Sequence, residues 1–231
     1  MSESTTAYGC DTSDMRFPHG MLRQGLAAPE EVLGRVPPGD SGKAAAVASY
    51  YINILAFLQV HHTAEDVLLW PKLRERAPQH AELLDRMEGQ HAGLNRALIE
   101  ASEAADAYGA MPSDASARTL VAALATLTPG LHTHLAEEER EILPIAAVTM
   151  TQEEWGELPG HAMAHFAADK PWLVMGLVLE QMNDEQRAVT IRHFPPPVQE
   201  MWVTSGNEMF SAFIAGIRGA ASSSASSSPG R

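Results

Sequence analysis

The sequence predicts an all-α protein, an up-down four-helix bundle with an additional C-terminal helical section. Three observations carry that reading. Four long stretches repeat apolar residues at steps of three and four, the helical period. Short connections rich in Pro, Gly and Asp separate them, as between antiparallel neighbours. No pair of segments alternates apolar and polar residues as paired strands would. The 231 residues are enough for one sizeable core plus an extension.

Residues 1–13 read as a disordered leader, and 14–148 as the bundle. The first helix is expected to start at Ser13 or Asp14, either of which can cap it. Its stripe is Met15, His19, Leu22 and Leu26, and Pro18 falls where a first turn tolerates it. A breaker-rich connection follows, ending in Pro37-Pro38-Gly39-Asp40. The second helix is expected from Ser41 to Trp70, with Pro71 ending or kinking it. The third runs from Pro78 to Tyr108, with the turn at Gly109 to Pro112. The fourth starts at Ser113 or Asp114 and reaches Ile142, with Pro144 after it. Pro129 and Gly130 predict a kink or break within it.

The helical extension is assigned to 149–218. Thr151-Gln152-Glu153-Glu154 is a capping-box pattern, and Pro159-Gly160 is expected to divide the helix it starts. Trp172 to Met182 is an apolar helix, and a short one begins at Asn183-Asp184. An amphipathic helix covers Val198 to Ile217. Residues 219–231, GAASSSASSSPGR, form a low-complexity tail expected to be disordered.

Charge and cysteine usage narrow the function classes. The net charge of −13 comes with no basic patch, which argues against a nucleic-acid partner and against anionic membrane surfaces. The single cysteine, Cys10, permits no disulfide within the chain, in keeping with a reducing cytoplasm. The stretch Met1 to Asp14 lacks the basic and apolar regions of a signal peptide. No run of eighteen apolar residues marks a membrane span.

Chemistry concentrates in two related motifs. The first is His61-His62-Thr63-Ala64-Glu65-Asp66, leading through an apolar run to Pro71. The second is His134-Leu135-Ala136-Glu137-Glu138-Glu139, leading through Ile142 and Leu143 to Pro144. Each sets a His and a Glu four residues apart, on one helix face. Imidazole nitrogen with carboxylate oxygen suits iron, zinc or manganese. The same residues lie on the apolar seams: Ile54, Leu58, His61, Glu65, Leu68 on the second helix, and Leu127, Leu131, His134, Glu138, Ile142 on the fourth. The third helix adds Leu84, Met87, His91, Leu94, and the first adds His19. Burying so many titratable groups costs several kcal/mol each, as an order of magnitude, unless they are paired or metal-bound. The predicted ligands are therefore His19, His61, Glu65, His91, His134 and Glu138. Glu88, in a Glu-x-x-His spacing with His91, is a further candidate.

Neighbouring residues sort by register. His62, His132, Asp66 and Glu139 fall one step off their seams and are set aside. His161 and His165 share a helix face but have no third ligand, so they read as structural. His80 and His193 read as surface residues. Met87, Met163, Met175 and Met182 read as core filler, and Cys10 as a mobile thiol.

On His19, His61-x-x-x-Glu65, His91 and His134-x-x-x-Glu138, the stretch from Met15 to Ile145 resembles the hemerythrin-like, or HHE cation-binding, family. The resemblance implies a four-helix bundle holding two non-haem iron ions, with oxo or hydroxo and carboxylate bridges. Oxygen-carrying members add a His one turn before the third-helix histidine, where Met87 stands here. They also close with His and Asp five apart, whereas His134 and Glu138 are four apart. The chain thus resembles the bacterial cytosolic branch with six ligands. That branch implies reaction with O₂ or hydrogen peroxide, including catalase-like turnover, with an unidentified electron donor. Two other readings use the same ligands: an oxygen or iron sensor or store, and an oxidase of a small organic substrate with a channel lined by Trp172, Met175 and Trp202.

Overall fold

The computed structural model describes residues 8–219. It is helical, and the described residues contain no strand. The first bundle helix, α1, is Arg16–Gly25. The second is built of α3, Ser41–Ala64, a π turn, Glu65–Leu69, and α4, Trp70–Arg76. The third is α5, Ala81–Ala110. The fourth joins α6, Asp114–Glu137, a π turn, Glu138–Ile142, and α7, Leu143–Thr149. A short helix, α2, Pro29–Gly34, occupies the connection expected to be irregular. α5 packs along both α3 and α6, and α1 closes the bundle against the same two.

The second and fourth helices both outrun their expected ends, because neither Pro71 nor Pro144 stops them. A helical proline removes one N–H and presses its ring on the carbonyl four residues back. In each helix a π turn stands immediately ahead of the proline and absorbs the misfit. Pro129 likewise sits inside an unbroken α6, where the expected break does not occur. Gly130 beside it allows close approach to α5, since a Cβ there would lie 3.2 Å from Leu94 Cδ2.

Caps follow the sequence in most places. Asp40 accepts from Lys43 N–H at 2.9 Å and starts α3. Ser113 forms a capping box with Ser116. The first helix differs. A 3₁₀ turn, Ser13–Met15, leads into it without a side-chain cap, and Asp14 instead accepts from Trp155 Nε1 at 2.9 Å. Residues 8–13, expected to be disordered, are tied down. Gly9 N–H donates to Met150 at 2.7 Å and Cys10 N–H to Ala147 at 3.0 Å. Residues 1–7 and 220–231, the remainder of the expected leader and tail, lie outside the described residues.

The C-terminal section comprises α8, Gln152–Ala164, α9, Pro171–Leu179, α10, Asp184–His193, α11, Pro196–Met201, and α12, Asn207–Arg218. Thr151 and Asn183 open α8 and α10 with capping boxes. Pro159 does not divide α8. The section lies on α1 and α3. It is pinned there by Asn53, fully buried on α3, which donates to Asp169 at 3.0 Å and accepts from Lys170 N–H at 2.9 Å. Trp172 meets Phe213 edge-on, and Trp202 lies against Phe210. With partly buried Met175 these side chains pack the layer against the core.

Gly176 sets how closely α9 and α12 meet, because a Cβ there would stand 2.2 Å from Phe210 Cδ2. Gly176→Ala therefore forces the rigid ring to move. The expected cost is roughly 1–3 kcal/mol, read from a denaturant melt, with bound metal unchanged.

The rod from Ser41 to Arg76 is long and apolar enough to cross a membrane, but most of it is buried inside the protein. Its hydropathy is that of the helix at the centre of a bundle.

Candidate metal centre

The predicted ligands converge in the bundle core. His19, Glu138 and His134 are completely buried, Glu65 nearly so, and His61 and His91 about 95% buried. His62, set aside on register, is buried with them. The side chains form two groups that could each hold a metal ion: His62, His91 and His134, and His19, His61, Glu65 and Glu138. Within each group the ligand atoms lie within 4.8 Å of one another.

Glu65 joins the two groups. Its Oε1 lies 3.3 Å from His61 Nε2, and its Oε2 lies 3.4 Å from His91 Nε2. Glu138 does the same through one oxygen, with Oε2 at 3.4 Å from His19 Nε2 and 3.7 Å from His134 Nε2. Both π turns begin at these glutamates.

Three of the imidazoles are oriented from behind. His19 Nδ1 donates to Glu139 Oε1 at 2.8 Å, and Arg23 clamps that carboxylate with two hydrogen bonds. His91 Nδ1 donates to Asp66 Oδ1 at 2.7 Å. His134 Nδ1 donates to Gln90 Oε1 at 3.0 Å, and Gln90 gives its amide N–H to Glu137 at 2.6 Å. The acceptors on these Nδ1 atoms offer only oxygen lone pairs, so each Nδ1 carries the hydrogen and each Nε2 faces inward. Partners of this kind fix tautomer and ring orientation in metal sites. Asp66 and Glu139, off the seam by sequence register, therefore act one shell out.

The donor set fits metal and little else. His91 Nε2 and His134 Nε2 stand 3.1 Å apart, two lone pairs aimed at one point. The Nε2 atoms of His19, His61 and His62 and all four oxygens of Glu65 and Glu138 are buried without a hydrogen-bond partner. Buried polar groups are rarely left so. Burial drives His61 down to about 3, with the His19 charge adding to it. Burial likewise takes His134 to about 4 and holds His62 well below its ordinary value. These rings are neutral and free to bind. His19 goes the other way. Burial pushes it down, but the carboxylates of Glu138 and Glu139 carry it up to about 9. Burial and the nearby Glu138 charge hold Glu65 well above the usual carboxylate range.

Glu88 is not among these groups. Its carboxylate turns to Arg74, which contacts it at 3.0 and 2.8 Å, so the Glu-x-x-His spacing serves an ion pair here. Met87 is wholly buried one turn before His91. His132 is exposed. His165 Nδ1 donates to the His161 carbonyl at 2.9 Å, and neither ring joins a metal-binding group. His62 was missed because a seam of single residues is too narrow. An apolar face three or four residues wide per two turns includes both His61 and His62.

A four-helix bundle with buried imidazoles and carboxylates on facing helices defines a metal-binding helical protein. Residues 10–146 match the family described as hemerythrin HHE cation binding domain; the chain belongs to that family. No curated protein and no solved structure matches the sequence.

Proposed function

We propose that this chain is a cytoplasmic non-haem di-iron protein that reacts with O₂ or hydrogen peroxide and turns peroxide over, with electrons from an external donor. The observation that supports this most is Glu65, whose two oxygens address both groups of imidazoles. In this reading the ligands are His19, His61, Glu65, His91, His134 and Glu138, with His62 as a seventh. A bound iron pair would supply two electrons to one small oxidant. The chain's own part is to hold five imidazoles and two carboxylates in register, to fix three rings through Glu139, Asp66 and Gln90, and to keep water out. The imidazoles divide unequally, three against two.

His62 also favours a second reading, an oxygen-binding or iron-sensing module without turnover. It supplies an imidazole that Met87 does not. Metal content, an optical spectrum and a peroxide-consumption assay with an added one-electron reductant separate the two. Two irons per chain, a charge-transfer band and peroxide consumed along with the reductant support turnover. A stable, reversible oxygen spectrum with no peroxide consumed supports the binding module. Stoichiometric zinc without colour overturns both.

Metal uptake should release protons. His19 is charged in the metal-free protein below about 9, and Glu65 holds its proton unusually far up the pH scale. Both must give up that proton to bind metal. The apparent affinity should therefore climb as pH rises, about tenfold per pH unit for each proton released, and the His19 contribution should level off above about 9. Calorimetry in two buffers of different ionisation enthalpy measures the count. Affinity that does not change with pH contradicts His19 and Glu65 as ligands.

A further inference from the structure

Behind His91 the hydrogen bonding continues to an aromatic ring. Asp66 Oδ1 accepts from His91 Nδ1 at 2.7 Å and also from Trp70 Nε1 at 3.0 Å. One carboxylate oxygen thus couples an indole to an inward-facing imidazole. The Trp70 and His91 rings are 5.5 Å apart. Trp70 is 1% exposed, whereas the Asp66 side chain is 49% exposed. Both border a cleft of about 440 Å³ whose lining also includes Gln59, Asn95, His62 and His91. The cleft adjoins the three-imidazole group. Nothing in simple metal binding calls for an indole here, and Gln90 orients His134 without one.

We propose that Trp70 is a one-electron relay, carrying electrons from an external reductant at this cleft to the metal pair by way of Asp66 and His91. This rests on the iron-pair reading above. With an iron pair bound, hydrogen peroxide would take two electrons from it and two protons from solvent as its O–O bond breaks, and would leave as two waters. Trp70 replaces one of those electrons and becomes an indole radical cation. Its N–H proton stays on Nε1, hydrogen-bonded to Asp66. The carboxylate charge beside it stabilises the cation in surroundings of low dielectric constant. One electron from the reductant restores the indole, and a second passage replaces the other electron. The geometry identifies the donor only as a one-electron reductant able to reach this cleft.

The test uses the iron-loaded full chain, mixed with hydrogen peroxide and frozen within the first turnovers. Electron paramagnetic resonance should show an organic radical whose hyperfine structure changes when ring-deuterated tryptophan is incorporated. The chain has four tryptophans. Trp155→Phe, Trp172→Phe and Trp202→Phe should each keep the signal, and Trp70→Phe should lose it. The first three assign the radical by elimination even if Trp70→Phe does not fold. A radical indifferent to the label overturns the relay, as does one that survives Trp70→Phe or is lost with another tryptophan. So does wild-type protein that consumes peroxide with no radical; in all these cases the iron-pair reading stands. A chain that binds no iron, or leaves peroxide untouched, overturns both.

Discussion

Glu65→Ala and Glu138→Ala each remove at least one of the two metal ions proposed per chain, and with it the rise in melting temperature that metal confers. Each carboxylate reaches imidazoles of both groups, so neither group keeps its donors when one is lost. Ligand binding to the native state alone stabilises by about 2.7 kcal/mol at a hundredfold excess over the dissociation constant, and this is the contribution at stake. Without metal the two variants should part. Glu138 is held down to about 2 despite its burial, chiefly by the His19 charge. Its loss leaves His19 without an inward partner and costs about 1–3 kcal/mol. Glu65 faces the neutral His61 ring and no charged partner, so removing it breaks no ion pair and takes away an unsatisfied group, which offsets part of the cavity cost. Metal analysis and thermal melts with and without metal read both effects. Two metals retained in both variants, with unchanged melting, would show the centre to be elsewhere.

His62→Ala should impair metal binding about as much as His61→Ala, and His132→Ala should leave it unchanged. The expectation from register alone is the opposite for His62, which falls off the single-residue seam. In the structure its ring stacks on His91 at 4.1 Å between centroids, and its Nε2 is buried and unpartnered. His134→Ala should be as damaging as His61→Ala. Equilibrium titration of the four variants with one metal gives the order. A His62→Ala protein with wild-type affinity would return the ligand set to six.

Most of the fold is legible in the sequence because the signals are periodic and long. Leu58, His61 and Glu65, or Leu131, His134 and Glu138, carry helix, buried face and chemistry together. The repeated motif makes the six candidate ligands readable where one copy would not. Other features depend on geometry that residue identity does not encode. Glu88 has ligand spacing, yet Arg74, fourteen residues earlier, claims its carboxylate. Pro71, Pro144 and Pro159 read as stops, because a local rule cannot anticipate a helix that accommodates them. The anchoring of residues 8–13 depends on the far end of the fourth helix, around Ala147 and Met150. The placement of the C-terminal layer rests on pairings such as Asn53 with Asp169 and Lys170, more than a hundred residues apart.

The paired π turns also bear on which insertions and deletions this chain can tolerate. Each holds one residue more than an α turn, so everything beyond it is rotated by about 100°. Deleting Val67 alone would swing Leu69, Trp70 and Leu73, all buried, out of the core while leaving His61 and Glu65 in place. The same extra residue in the fourth helix turns Ile142, Leu143 and Ala146 by an equal amount, and α4 and α7 pack against each other. The two helix ends are thus a matched pair. A one-residue deletion in either motif should therefore be poorly tolerated, since it also returns Pro71 or Pro144 to an α turn that its ring does not fit.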